Sequence, residues 1–154
     1  MADETNQLRV RLVTPERTFF DQAAVAVDLP SKSGYFEVLY GHAPLMAELG
    51  AGDVIIHGGA DPKTGEAGSS SGDAASLLRY NVSWGFVEVL GDRVTILASD
   101  ALKPEEIDVP RAQEQLARGQ KEWNEAGDSE AAYTEALRVI HEAEAKIASA
   151  AEKH

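Results

Sequence analysis

The residues with the most chemical potential here are four histidines, one Lys-Thr pair and one Asp-Arg cluster, and cysteine is absent. His42, His57, His141 and His154 are scattered, with no serine or acid motif beside any of them, so no nucleophile-plus-base arrangement is legible. No pair of histidines or carboxylates stands at metal-ligand spacing, so no metal site is expected. Without cysteine, thiol nucleophiles, disulfides and Cys-ligated zinc are excluded. Lys63-Thr64, after Gly58-Gly59, invites a phosphate-loop reading. That loop needs glycine directly before the lysine and a strand-to-helix junction around it. Pro62 holds the glycine's place and no helical pattern follows. Catalysis is not expected of this chain.

The 154 residues carry a formal net charge of −12, with 44% apolar and 6% aromatic residues. That balance argues against nucleic-acid binding, which needs clustered Lys and Arg, and against anionic membrane surfaces. The opening residues MADETNQLRV are acidic and polar, unlike a signal or transit peptide. No run approaches the roughly 18 apolar residues of a membrane span. The expectation is a chain that stays where it is made and meets a membrane only through partner subunits.

The elements that must position any site change character along the chain. Leu8, Val10 and Leu12 alternate with Arg9 and Arg11, the pattern of a half-buried strand. Ala23–Leu29 reads as a strand with Val25 and Val27 on one side, ended by Pro30. Tyr35–Leu39, Asp53–His57, Leu77–Ser83, Trp84–Leu90 and Arg93–Ala98 continue the series, with Gly91-Asp92 as a two-residue hairpin turn. Residues 58–76, rich in Gly, Ser, Ala and Asp, read as a long flexible loop. The pattern predicts an antiparallel β-sandwich or flattened barrel over residues 1–101.

From Pro104 the period becomes helical. Asp108 suits an N-cap and Pro110 a first turn; Val109, Ala112, Leu116 and Trp123 then share a face, with Gly119 near the seam. Gly127-Asp128-Ser129 ends this helix and caps a second, whose Tyr133, Ala136, Leu137, Ile140, Ala143 and Ile147 recur at three- and four-residue steps. Residues 102–154 are therefore expected to form an antiparallel two-helix hairpin, and the fold class is α+β. Eleven of the fifty residues from Glu105 onward are alanine, which makes the seam thin in large apolar side chains.

Leu8-x-Val-x-Leu-Val-Thr-Pro-Glu-Arg17, the run Gly34-x-Phe-x-Val-Leu-x-x-His-Ala-Pro-Leu45, and Gly85-Phe-Val-Glu-Val89 followed by Val94-Thr-Ile-Leu-Ala98 recur together in one known family. In their order and spacing the chain resembles the epsilon subunit of the rotary F-type ATP synthase, called delta in mitochondria. It departs from that family at Glu37, where glycine is usual, and at Tyr40, where proline is common. The resemblance implies a ten-stranded sandwich plus helical hairpin at the foot of the rotating central stalk. It implies a non-catalytic rotor subunit of a proton-translocating synthase, joining the gamma subunit to the c-ring, with transient alpha and beta contacts and a regulatory role in ATP hydrolysis. It places the chain peripheral to the bacterial plasma membrane, on the cytoplasmic side.

The family's contact loops correspond here to Lys32, Ser33, Gly34 and Tyr35 and to the turn holding Gly41 and His42. Some bacterial members bind ATP at the hairpin through the pattern I/L-D-x-x-R-A. Ile107, Asp108, Arg111 and Ala112 match it, and Arg118 lies seven residues on, where the family offers another arginine. The second helix lacks the paired arginines of tight binders, so the resemblance implies at most weak regulatory ATP, and no other cofactor. From Glu105 onward the chain has 12 acids against 6 bases, which disfavours strong inhibition through acidic partner surfaces. The alternative from another class is a stand-alone β-sandwich that binds a peptide or glycan.

Overall fold

In a computed structural model, residues 7–58 and 77–152 are described. The Lys63-Thr64 pair and the expected loop, apart from Gly58, lie outside them. The chain divides into two compact units, residues 1–101 and 102–154.

The first unit contains β1 (Leu8–Val13), β2 (Thr18–Ala24), β3 (Ala26–Ser31), β4 (Gly34–Leu39), β5 (Leu45–Leu49), β6 (Gly52–His57), β7 (Leu77–Leu90) and β8 (Arg93–Leu102). They pair in the order β2-β1-β8-β7-β5-β3-β4, with β6 joining β3 to β7. The expected β-sandwich is the observed architecture, with eight strands among the described residues where the family resemblance implied ten. One pairing is not antiparallel: β1 runs parallel to β8, Val10 opposite Val94 and Leu12 opposite Ile96. Leu8, Val10, Leu12, Phe20, Val27, Leu29, Val38, Leu49, Val54, Ile56, Tyr80, Val82, Val87, Val89, Val94 and Ile96 are all buried in one core. Period-two burial builds that core from β1, β2, β4 and β5, where inward and outward residues alternate.

Three boundaries differ from the sequence reading. The strand expected over Ala23–Leu29 is two strands, broken at Val25. The break sends Val25 outward, 52% exposed, while Val27 is fully buried, so the two valines do not share a side. Pro30 does not end β3; it sits within it opposite Tyr35, and the strand runs on to Ser31 opposite Gly34. The runs Leu77–Ser83 and Trp84–Leu90 are one strand, bent at Trp84 (φ 53°) and Gly85 (φ 131°). Before the bend the buried apolar positions are Tyr80 and Val82; after it they are Val87 and Val89. The inward parity has slipped by one residue, which is what a bulge does to a strand. It also lets β7 change partner, from β6 (Gly52 opposite Val82) to β5 (Leu49 opposite Gly85).

At the β7–β8 turn Gly91 has φ +64°, and Asp92 is not in the left-handed region. A positive φ at the first turn residue alone is the II′ pattern, which suits the twist of a hairpin. The Thr14-Pro-Glu-Arg17 motif closes β1 onto β2: Thr14 N–H donates to the Arg17 carbonyl (2.9 Å), and the Arg17 guanidinium lies 4.1 Å from the Phe19 ring centroid.

The second unit holds α1 (Val109–Glu125) and α2 (Glu130–Ala151). Asp108 and Ser129 are their N-caps, accepting from Arg111 N–H (3.2 Å) and Ala132 N–H (3.2 Å). The seam is made of small residues: Ala112 and Gly119 on α1, and Ala136, Ala143, Ser149 and Ala150 on α2, are the buried ones. Trp123 and Tyr133 close the turn end with ring centroids 5.3 Å apart.

Gly119 therefore has a packing reason. A Cβ there would stand 2.9 Å from Ile140 Cγ1, 3.1 Å from Val139 Cγ1 and 3.3 Å from the Ile140 backbone nitrogen. In an isolated helix alanine would gain ~1 kcal/mol over glycine. Here a branched side chain must push the helices apart. Gly119→Val is expected to destabilise the hairpin by about 1–3 kcal/mol, the range for overpacking. Thermal melting followed by helical circular dichroism checks this; an unchanged midpoint would show that the helices can separate at no cost.

Candidate functional surfaces

Two surface regions in the first unit and one in the second carry the residues singled out from the sequence. The turn between β3 and β4 is braced from within. Ser31 Oγ–H donates to the Gly34 carbonyl (2.6 Å) and accepts from Ser33 N–H (3.1 Å). Lys32 Nζ lies 3.1 Å from Glu48 Oε2, and both side chains are more than half exposed. An ion pair so exposed is worth less than about 1 kcal/mol, so a partner can exchange it at little cost. Tyr35 is 62% exposed, yet its hydroxyl accepts from Asp53 N–H (2.9 Å). What Tyr35 presents outward is mostly ring.

Asp53 anchors a buried polar network beneath that tyrosine. Its carboxylate accepts from Arg79 Nη1 (2.9 Å) and Asn81 Nδ2 (3.1 Å), and Asn81 also donates to the Gly52 carbonyl (3.4 Å). Gly52 leaves the space for Tyr35: a Cβ there would overlap the Tyr35 hydroxyl.

At the second turn, His42 N–H donates to the Leu39 carbonyl (3.1 Å), and Nδ1 lies 2.7 Å from the Ala43 carbonyl. A carbonyl only accepts, so Nδ1 carries the proton in that bond and Nε2 is left for an outside contact. His42 shapes its turn, while the neighbouring Gly41 and Tyr40 are exposed.

On the hairpin, Ile107 and Ala112 are buried, whereas Asp108, Arg111 and Arg118 are exposed. Asp108 is occupied as N-cap. Arg111 and Arg118, seven residues apart, share one face of α1. Arg118 Nε is 3.9 Å from Glu122 Oε1, and no ion pair to Arg111 appears among the described residues. The geometry gives one helix edge with two outward guanidinium groups, without an enclosing pocket residue from the Ile107–Ala112 motif.

A fourth surface, in the first unit, escaped sequence reading. Beyond the bend in β7 the outward positions are Phe86, Glu88 and Leu90, and β5 pairs with that segment, Met46 opposite Glu88 and Glu48 opposite Phe86. Gly85 lies against the Leu97 carbonyl of β8, which brings Phe86 and Leu97 side by side on adjoining strands. Met46, Phe86, Leu90 and Leu97 are 51–68% exposed. The signal was present in the alternation of β5 and β8. It was masked in β7 because the slip in parity decides whether Phe86 or Val87 faces out. Exposed apolar side chains gathered on neighbouring strands, here interspersed with Glu48 and Glu88, are a candidate interaction surface.

Comparison with known proteins gives this architecture a family. Residues 7–104 match the family model described as ATP synthase, Delta/Epsilon chain, beta-sandwich domain. The chain is similar to the ATP synthase epsilon chain of Koribacter versatilis, 38% identical over 116 residues, covering 75% of this chain and 71% of the relative. It is also similar to that of Solibacter usitatus, 36% identical over 147 residues, covering 95% and 97%. A chain in the cryo-EM structure of Euglena gracilis mitochondrial ATP synthase (OSCP, F1 and c-ring) shares the fold, with a TM-score of 0.69 at 20% identity, covering 94% of this chain and 81% of that one. No helix of the described residues is long and apolar enough to cross a membrane. By its β-sandwich, its helical hairpin and its near full-length relatives, the chain belongs to the ATP synthase epsilon chain family.

Proposed function

We propose that this chain is a non-catalytic central-stalk subunit of a proton-translocating F-type synthase, linking a gamma subunit to the membrane c-ring and touching alpha and beta transiently. The observation that carries the reading is the combination of family membership with a stiff, singly cored β unit whose conspicuous outward feature is the Met46–Phe86–Leu90–Leu97 surface. Torque transfer needs a rigid body with docking faces rather than a reactive group, and rigid close-packed cores transmit strain. The Lys32–Tyr35 and Gly41–His42 turns are the proposed ring- or gamma-facing contacts: Tyr35 offers its ring and His42 its Nε2. A bacterial plasma membrane, cytoplasmic face, is the proposed location, reached through partner subunits.

Purification from membranes tests this directly. The chain should come away with a gamma-type rotor subunit, crosslink to a neighbour from Tyr35 or His42, and hydrolyse no ATP alone. Isolation as a free protein bound to a peptide or glycan would favour the stand-alone module instead.

A weak nucleotide contact belongs to the same reading. Support comes from Arg111 and Arg118 standing outward on one edge of α1, where two guanidinium groups can share a phosphate chain. ATP should bind with a Kd of about 1 mM, near −4 kcal/mol. Replacing both arginines by glutamine should remove the binding. Titration followed by amide chemical shifts would show it, and no shifts around Asp108–Arg118 up to tenfold that concentration would dismiss the contact.

A further inference from the structure

The fold brings together three side chains that the sequence keeps apart. Asp28 on β3 stands directly opposite Glu37 on β4, and opposite Ile55 on β6, which carries His57 two residues on. One ligand atom from each of Asp28, Glu37 and His57 lies within 4.8 Å of the other two, the one such group of three or more His, Cys, Asp or Glu found among the described residues. His57 Nε2 is 2.8 Å from Asp28 Oδ2, and both side chains are 27% exposed. Glu37 is exposed.

Two carboxylates directly opposite each other on paired strands repel, which ordinarily destabilises the pairing. His57 offers its single Nε2 to Asp28, leaving the Glu37 carboxylate facing the same small space. A cation seated among the three would turn that repulsion into coordination. The donors come from three adjacent, hydrogen-bonded strands, so their separations are fixed by the sheet rather than by loops, the condition for a preorganised site. One imidazole with two carboxylates suits a borderline divalent ion, zinc above all, while an all-oxygen set would suit magnesium or calcium. Three protein donors at a partly exposed spot leave a fourth position for water.

We propose that Asp28, Glu37 and His57 form a divalent transition-metal site of zinc type on the β4–β3–β6 face. Binding requires His57 to ligate through unprotonated Nε2, its ring proton moving to Nδ1, and requires Asp28 to exchange its hydrogen bond for a metal bond. The ion would then clip β4 to β6 across β3. The site lies two residues along β4 from Tyr35, and its test on the isolated chain does not depend on the proposed rotor contacts.

The test uses the full chain and zinc chloride. Calorimetric titration should give one zinc ion per chain, with magnesium at the same concentration giving no heat. Thermal melting with zinc at a hundred times its Kd should raise the midpoint of the β unit by several degrees, since an ion bound only to the folded state stabilises it. Glu37→Gln, a change at an exposed position that leaves the core untouched, should weaken binding at least tenfold, and His57→Gln should abolish it. A circular dichroism spectrum like that of the parent chain confirms that each variant is folded. Absence of zinc binding up to 1 mM, roughly the weak limit of specific binding, overturns the proposal. So does stoichiometric binding that survives both Glu37→Gln and His57→Gln, because it places the ion outside these three residues.

Discussion

Gly85→Val is expected to destabilise the β unit by about 3–5 kcal/mol, a large part of the 5–15 kcal/mol that holds an ordinary domain folded. Two costs add. The backbone at Gly85 has φ +131°, a region that L side chains rarely adopt, and holding a branched residue there costs about 1–3 kcal/mol. A Cβ would also overlap the Leu97 carbonyl and stand 2.9 Å from the Leu97 carbonyl carbon and 3.2 Å from the Ala98 Cα. Those are backbone atoms of β8, the strand that also pairs with β1, so relief means moving a strand rather than a rotamer. In urea the unfolding midpoint should fall by about 1–5 M across the usual range of slopes for a small domain. Phe86→Ala next door, on an exposed residue, should leave it nearly unchanged. Equal midpoints for Gly85→Val and the parent chain would mean that the bulge forms without a glycine.

That bulge also marks where sequence reading stopped being sufficient. Alternation identified β1 with its inward Leu8, Val10 and Leu12, and marked the ranges of β4, β6 and the first part of β8, because the inward parity holds over each of those stretches. Trp84-Gly85 looked like the start of a new strand, since a period-two pattern that slips by one residue resembles two patterns. β2 and β5 were not identified as strands. Thr18–Ala24 mixes Asp21 and Gln22 with aromatics, and Leu45–Leu49 sits in a motif whose glycine and proline suggest a turn. The parallel pairing of β1 with β8 joins residues more than eighty positions apart and leaves no local trace.

The helical part was more legible because its signals are local. Asp108 and Ser129 cap as their types and positions suggest, and Gly127-Asp128 separates the helices. The packing logic was not. A thin seam of alanines suggests weak association if burial is counted by side-chain size, but Gly119 against Val139 and Ile140 shows close backbone approach instead. The grouping of Asp28, Glu37 and His57 was invisible for another reason. Spacings of nine and twenty residues carry no ligand pattern, and only the register of β3 with β4 and β6 converts them into neighbours.

Charge placed in the outward apolar surface should abolish docking of the rotor partner while leaving the fold intact. Met46 and Phe86 are 68% and 54% exposed, so Met46→Glu with Phe86→Glu adds two carboxylates without disturbing the core. Glu48 and Glu88 already stand in register with these positions on the same strands, so each new carboxylate meets an existing one across the pair. If a gamma subunit covers this surface, it must bury four clustered carboxylates, and an unpaired buried charge costs several kcal/mol. Loss of affinity of at least 100-fold, about 2.7 kcal/mol, is the expected result, read by co-purification with the gamma-type subunit and by surface-binding kinetics. Val25→Glu serves as the comparison, since Val25 is 52% exposed and lies between β2 and β3, outside the β5–β7 pair and outside the proposed contact turns. It should bind gamma within about twofold of the parent chain, as surface changes outside an interface do. Undiminished binding by the double variant would remove Met46 and Phe86 from the interface and leave the Lys32–Tyr35 and Gly41–His42 turns as the docking contacts, and binding weakened equally by Val25→Glu would show that the loss is not specific to the β5–β7 surface.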